Sequence, residues 1–452
     1  MKATLGSKLV RMAGTAFALA CVLGLGAVPI GLADAGGSIN CTSDLPAFGP
    51  LNVTETMGAG TSGSFTLGGD NNKFIGTCNL SGTIPAGWSV TELSGAVMSA
   101  SPGAGNNGTF TWNTDDSELA DTGTFTNAGT FVDVGTAFTQ QIEVADFVNT
   151  GTVRSSCPGL QTAGAANVFD DKGVVEVDAK DTFELAGTFI LDSGGSIRAT
   201  GALDIAGSTF KIAGGAVTSG VLTSPYRLGV APTAVSFAAG LPPSSKGTID
   251  IGVPTTLIGV IPKTWALDVS ATITATRGAG NAGTFVWEPT AGNSNLVGTT
   301  PFTNSGTFTD LGSGQVQQIQ VPSFVNTGIV ASSSEGMSMD GTRLFTNRGM
   351  VRVTAKGTFG CSGAFLLAPT GKIQTSGAFD IAGSTFEIAG GSVVKGTLVS
   401  PYHLGVGPTT IVFKGRLPKS SHGKIDVQVP TKVAGAAPKG WKLVPDGGQI
   451  TH

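Results

Sequence analysis

Two stretches, Phe125-Thr126-Asn127-Ala128-Gly129-Thr130-Phe131 and Phe147-Val148-Asn149-Thr150-Gly151-Thr152-Val153, decide how this chain is read. In each, a large apolar residue is followed two positions later by Asn and four positions later by Gly, and an aromatic or β-branched residue ends the stretch. Looser copies start at Phe169, Phe183 and Leu203, and again at Phe302, Phe324, Phe345, Phe359 and Phe379. The successive intervals are 22, 22, 14 and 20, then 22, 21, 14 and 20. Strands of about five residues with alternating side chains need one face buried. One coil of ~20 residues cannot bury that face alone, but stacked coils bury it against one another. The expectation is an internal column in which each Phe or Leu lies over the next. Gly supplies the left-handed backbone of the corner. Asn127, Asn149 and Asp171, and then Asn304, Asn326 and Asn347, form a structural corner ladder.

A longer period encloses the short one. Residues 201–267 align without gaps to residues 377–443, with 40 of 67 positions identical. Gly103-Ala104-Gly105-Asn106 recurs as Gly278-Ala279-Gly280-Asn281, and Trp112 recurs as Trp287. Pro85, Pro262 and Pro438, each standing three positions before a Trp, mark the successive starts of this period. The expected organisation is a leader at 1–35, an N-terminal partial unit or cap at 36–84, unit one at 85–261, unit two at 262–437 and a tail at 438–452 that starts a third unit. Pro-rich stretches at 225–262 and 401–438 are expected as loops or small β lobes between units.

Composition agrees with an all-β reading. Of 452 residues, 69 are Gly and only 12% are charged, while Phe (24) far outnumbers Tyr (2). Surface helix formers are scarce. There is no collagen period, and 40% hydrophobic content excludes a charge-driven disordered chain.

The coils resemble the "F-x-N-x-G-T-V" turns of bacterial secreted and surface β-helix proteins, the adhesin- and haemagglutinin-like repeat proteins among them. The opening Ile84-Pro85-Ala86-Gly87-Trp88 resembles the start of such repeat blocks. The resemblance covers most of the chain after the leader. It implies a right-handed parallel β-helix (a β-solenoid) outside the cell, and it carries no catalytic motif.

The N-terminus points to export on its own. Lys2, Lys8 and Arg11 precede an apolar run from Met12 to Ile30, and Ala33-Asp34-Ala35 fits a signal-peptidase site. No transmembrane segment is expected after cleavage. An exported chain permits disulfides, and Cys41 with Cys78, in one short segment, is the expected pair. Cys157 and Cys361 are left open as thiols or a bridge. Without CxxC spacing, and with only three His, the chain carries no zinc or haem signature; no metal or cofactor is expected.

Charge is unevenly divided. Unit one holds 7 basic and 17 acidic residues, net −10, and unit two holds 13 and 8, net +5. Such a dipolar chain is suited to self-association. The basic end, including Lys414, Arg416, Lys419 and Lys424, is suited to extracellular polysaccharide or cell-wall polymer; nucleic acid is not an expected partner of an exported, acidic chain. The binding candidates on the acidic side are Asp115, Asp116, Glu118 and Asp121. The expected role is secreted, non-catalytic, structural or adhesive. The alternative is a β-helix polysaccharide lyase or glycosidase using paired carboxylates.

Overall fold

The structure is a computed structural model that describes residues 36–43, 51–67, 76–92, 97–113, 117–135, 140–156, 158–164, 167–225, 233–288, 294–312, 317–333, 336–339, 344–401 and 407–452. The expected leader (1–35), Asp115, Asp116 and Cys157 lie outside the described residues, and of Cys41 and Asp121 only the backbone is described.

The unit of construction is a strand of three to five residues whose side chains alternate inward and outward. Val168–Asp171, Thr188–Leu191 and Thr209–Ile212 lie in parallel register, with Phe169 over Phe189 over Phe210. They form one face. Val174–Val177, Ser196–Ala199 and Ala216–Ser219 form a second. Thr182–Glu184, Ala202–Asp204 and Leu222–Ser224 form a third. One strand from each face makes a turn, and the chain climbs one strand spacing, ~4.8 Å, per turn. About 16 turns stack into a parallel β-solenoid with no helix among the described residues. At its N-terminal end the pairing is antiparallel: Gly37–Ser43 lies between Leu51–Met57 and Gly76–Ile84, and the latter begins the parallel stack on Val97–Ala100. This hairpin covers what would otherwise be an open strand edge.

The described parts of the Pro-rich stretches do not leave the stack. Thr233–Phe237 and Gly247–Ile251 pair with strands of the turn below, as do Thr409–Phe413 and Gly423–Val427. Residues 238–246 and 414–422 are longer connections between them, not β lobes. Their ends are tied down: Ser245 Oγ donates to Gly215 O and Ser421 Oγ to Gly391 O, both at 2.8 Å.

Strand pairing also continues through residues 261–262, from Gly247–Ile251 to Trp265–Val269 to Thr284–Trp287. Here sequence equivalence and position part company. Thr307–Asp310 is the repeat of Thr130–Asp133, a second-face strand, yet it lies in the column that continues the third face. Asn295–Gly298 corresponds to the third-face stretch at Glu118, yet it continues the first face. The long period therefore does not contain a whole number of turns, and equivalent strands step round by one face.

The aromatic column also differs from the sequence expectation. Phe125, Phe147, Phe169, Phe189 and Phe210 stack with ring centroids 4.8–5.5 Å apart, and Phe302, Phe324, Phe345, Phe365 and Phe386 repeat this at 4.9–5.5 Å. Phe183 and Phe359 are not rungs of it. The short interval from Phe169 to Phe183 is less than a turn, so Phe183 falls in the third-face column between Leu160 and Leu203 and meets Phe169 edge-on at 5.8 Å.

Only some of the corner glycines serve the purpose expected. Gly187 and Gly207 have positive φ (76° and 79°), but Gly129, Gly151 and Gly173 do not. A Cβ on Gly151 would lie 2.0 Å from Gly129 O, so it is the stacking of one turn's backbone on the next that admits no side chain there.

Candidate functional site

The interior beside the Phe column is polar. Asn106 Nδ2 donates to Asn127 Oδ1 (2.8 Å), Asn127 to Asn149 (2.9 Å), and Asn149 to Asp171 (2.8 Å). Each of these amides also donates to a main-chain oxygen of the turn above: Thr130 O, Thr152 O and Val174 O. The second series runs Asn281, Asn304, Asn326, Asn347 with distances of 2.8–2.9 Å, and all eight residues are fully buried. The first rungs, Asn106 and Asn281, were not singled out in the sequence; the recurring Gly-Ala-Gly-Asn string marked them, but no Phe precedes that Asn. The series differ at their last rung. Asn347 donates to Lys372 O (3.0 Å), whereas Asp171 has only oxygens to offer and accepts from Asn149 and from Gly173 N (3.2 Å). Burial, opposed by these donors, pushes the Asp171 carboxyl up to about 6.

The outward candidates divide. On the third face, Glu118 stands half-buried. Burial raises its carboxyl, and a hydrogen bond and the charge of Glu143 raise it further. The register places Glu118 beside Gln141 and Ala120 beside Glu143, so Glu143 sits diagonally across the rung. Glu143 lay a full turn away in sequence, outside the local acidic cluster. Asp121 lies on the same strand, opposite Val144.

A further pair was not expected as one. Asp250 and Asp268 are register neighbours on the third face. Burial raises Asp250; burial, then Glu288 and Asp250, raise Asp268.

At the basic end, Lys414 pairs with Glu387 (2.6 Å) and Lys424 with Asp426 (2.9 Å). Arg416 and Lys419 are exposed on the connection 414–422 and have no ion pair among the described residues. Cys78 is disulfide-bonded, and the antiparallel register sets Cys41 opposite it. Cys361 is a buried thiol, its pKa pushed well up by burial and by Asp380. Among the described residues no three His, Cys, Asp or Glu side chains are grouped to hold a metal ion.

Fold and interior together define the class, a parallel β-solenoid with buried amide ladders and aromatic stacks. Compared with protein-family models, curated proteins and solved structures, the chain finds no match.

Proposed function

We propose that the chain is an exported, non-catalytic β-solenoid that acts as a structural or adhesive element at a bacterial surface or in the extracellular matrix, in the manner of the adhesin- and haemagglutinin-like proteins its turns resemble. The observation that supports this reading is the interior: two four-rung amide ladders and two five-ring stacks use buried groups for axial rigidity over successive turns. About 16 turns at the usual strand spacing give a rod of roughly 80 Å. The duplication into 85–261 and 262–437, behind a cap at 36–84, lengthens that rod. Its proposed ligand is an anionic polysaccharide or cell-wall polymer, met by Arg416 and Lys419 on the connection 414–422.

The test is a glycan array with a parallel depolymerisation assay. Expected are binding to anionic glycans that is released by salt and lost in the R416E/K419E variant, and no chain cleavage. Binding that is indifferent to that variant refutes the assigned surface. The second reading, a carbohydrate-active enzyme, rests on Glu118 and Glu143, because a raised carboxyl hydrogen-bonded to another carboxylate suits a general acid. Depolymerisation abolished by Glu118→Gln and by Glu143→Gln would select it.

A further inference from the structure

The third face carries a charge pattern that the monomer leaves uncompensated. From Gly247–Ile251 to Lys372–Thr375 its strands are parallel and pair without a register shift. One outward row reads Asp250, Asp268, then Val286, Thr309, Ala331, then Arg352. The next strand adds Lys372 and the one after it Lys395. Acids stand on one side and cations on the other; the row between them is uncharged, and Glu288, just past the end of Thr284–Trp287, adds to the acidic side. Asp250, Asp268, Arg352, Lys372 and Lys395 make no ion pair among the described residues. The two Asp are one strand spacing apart, close enough to repel.

We infer that this face is a self-complementary interface on which a second copy of the chain packs with its solenoid axis antiparallel, about a two-fold axis lying along Thr307–Asp310. The operation is isologous, so each contact occurs twice. It carries the strand of Asp268 onto that of the second copy's Arg352. It carries the strand of Asp250 onto that of the second copy's Lys372. Thr284–Trp287 falls on the second copy's Ile329–Ser332, where Ile329 is exposed at 37%. The parallel alternative places acids on acids. Seven to eight strands at ~4.8 Å, each about 13 Å long, cover roughly 500 Å² per copy, about 1,000 Å² in all. That is the low end for a specific interface, so the dimer is weak, charge-driven and salt-sensitive. The inference does not depend on the proposed adhesive role.

Sedimentation equilibrium of the purified chain tests it. Wild type should form dimers at about 20 mM salt and dissociate at about 500 mM, with Kd rising at least about tenfold. Asp268→Arg alone and Arg352→Asp alone should each be monomeric at low salt. Their equimolar mixture should recover the dimer, because every pair in the mixed species is again opposite in sign. That recovery also shows that both variants are folded. A wild type that stays monomeric at low salt, association that grows past the dimer, or a mixture that stays monomeric while both variants keep the wild-type circular dichroism would overturn the inference.

Discussion

Replacing Asp171 by Asn should stabilise the protein at neutral pH by an amount that vanishes in acid. The native carboxyl titrates at about 6 against an ordinary value of 3.8. The folded state therefore binds the proton more tightly than the unfolded chain. Sign follows from linkage: the contribution of Asp171 is fully present below pH 3.8, is lost as pH rises to about 6, and stays lost above it. A difference near two units at ~1.4 kcal/mol per unit makes the ionised carboxylate unfavourable by about 3 kcal/mol at pH 7.5. Asn removes this dependence and keeps the oxygen that accepts from Asn149. It also regains a donor, and the other ladder shows where that donor goes: Asn347 stands at the equivalent rung and donates to Lys372 O, the counterpart of Ser196 O. The nearby charges are Asp170 and Lys172, which pair with each other at 2.6 Å on the outer surface, with Asp192 3.8 Å from Lys172. Stacked turns need not unfold in one step, so hydrogen exchange of amides in residues 168–199 should accompany thermal melts from pH 3.5 to 8. The variant should match wild type near pH 3.5 and exceed it increasingly toward pH 7. Parallel pH profiles, or a D171N protein less stable than wild type at pH 7.5, would refute the reasoning.

Gly151→Ala should destabilise by about 3 kcal/mol, since its Cβ meets the Gly129 carbonyl at 2.0 Å and only backbone can yield; Gly407→Ala, with open space around it, should lie within about 0.5 kcal/mol of wild type in the same urea titration. Asn326→Leu removes the bond from Asn304, the bond to Asn347 and the bond to Met350 O, and should lower stability by roughly 2–4 kcal/mol, read by exchange protection in the turns on either side. Cys361 should resist alkylation at pH 8 in the native protein and react once denaturant is added, as peptide mapping will show; labelling in the native state would contradict its burial.

The solenoid was legible because its strongest signals are local. Phe, Asn and Gly at fixed offsets report one corner, and the step from Phe125 to Phe147 to Phe169 returns that corner to the same place. Spacing along the chain does not by itself say which face a strand joins. Phe183 follows Phe169 after a shorter step, and only strand pairing shows that it sits round the corner and not on top. The step of one face between repeats escaped for the same reason, because the connection 238–246 takes up residues that would otherwise make a second-face strand. The role of Gly129, Gly151 and Gly173 escaped because a carbonyl contributed by another turn is invisible in a local motif. At the surface, Glu118 was found but Glu143 was not; they meet through register, one turn apart. Asp268 meets Asp250 in the same way, and its counterpart one period later is Val444, so the duplication did not point to it.

The step between repeats governs what the rod displays. The connection 238–246 is anchored at its end on the second-face strand through Val217 N–H to Lys246 O, and its copy is anchored on the third-face strand through Val393 N–H to His422 O. Two related loops, sharing Leu-Pro-x-Ser-Ser, thus look out from different sides of one shaft. Their chemistry differs as well: the second carries Arg416 and Lys419 where the first has Gly240 and Pro243, so these two basic groups are presented on one side only. A repeat that steps round the shaft, like treads on a spiral stair, has let its two copies diverge on separate sides.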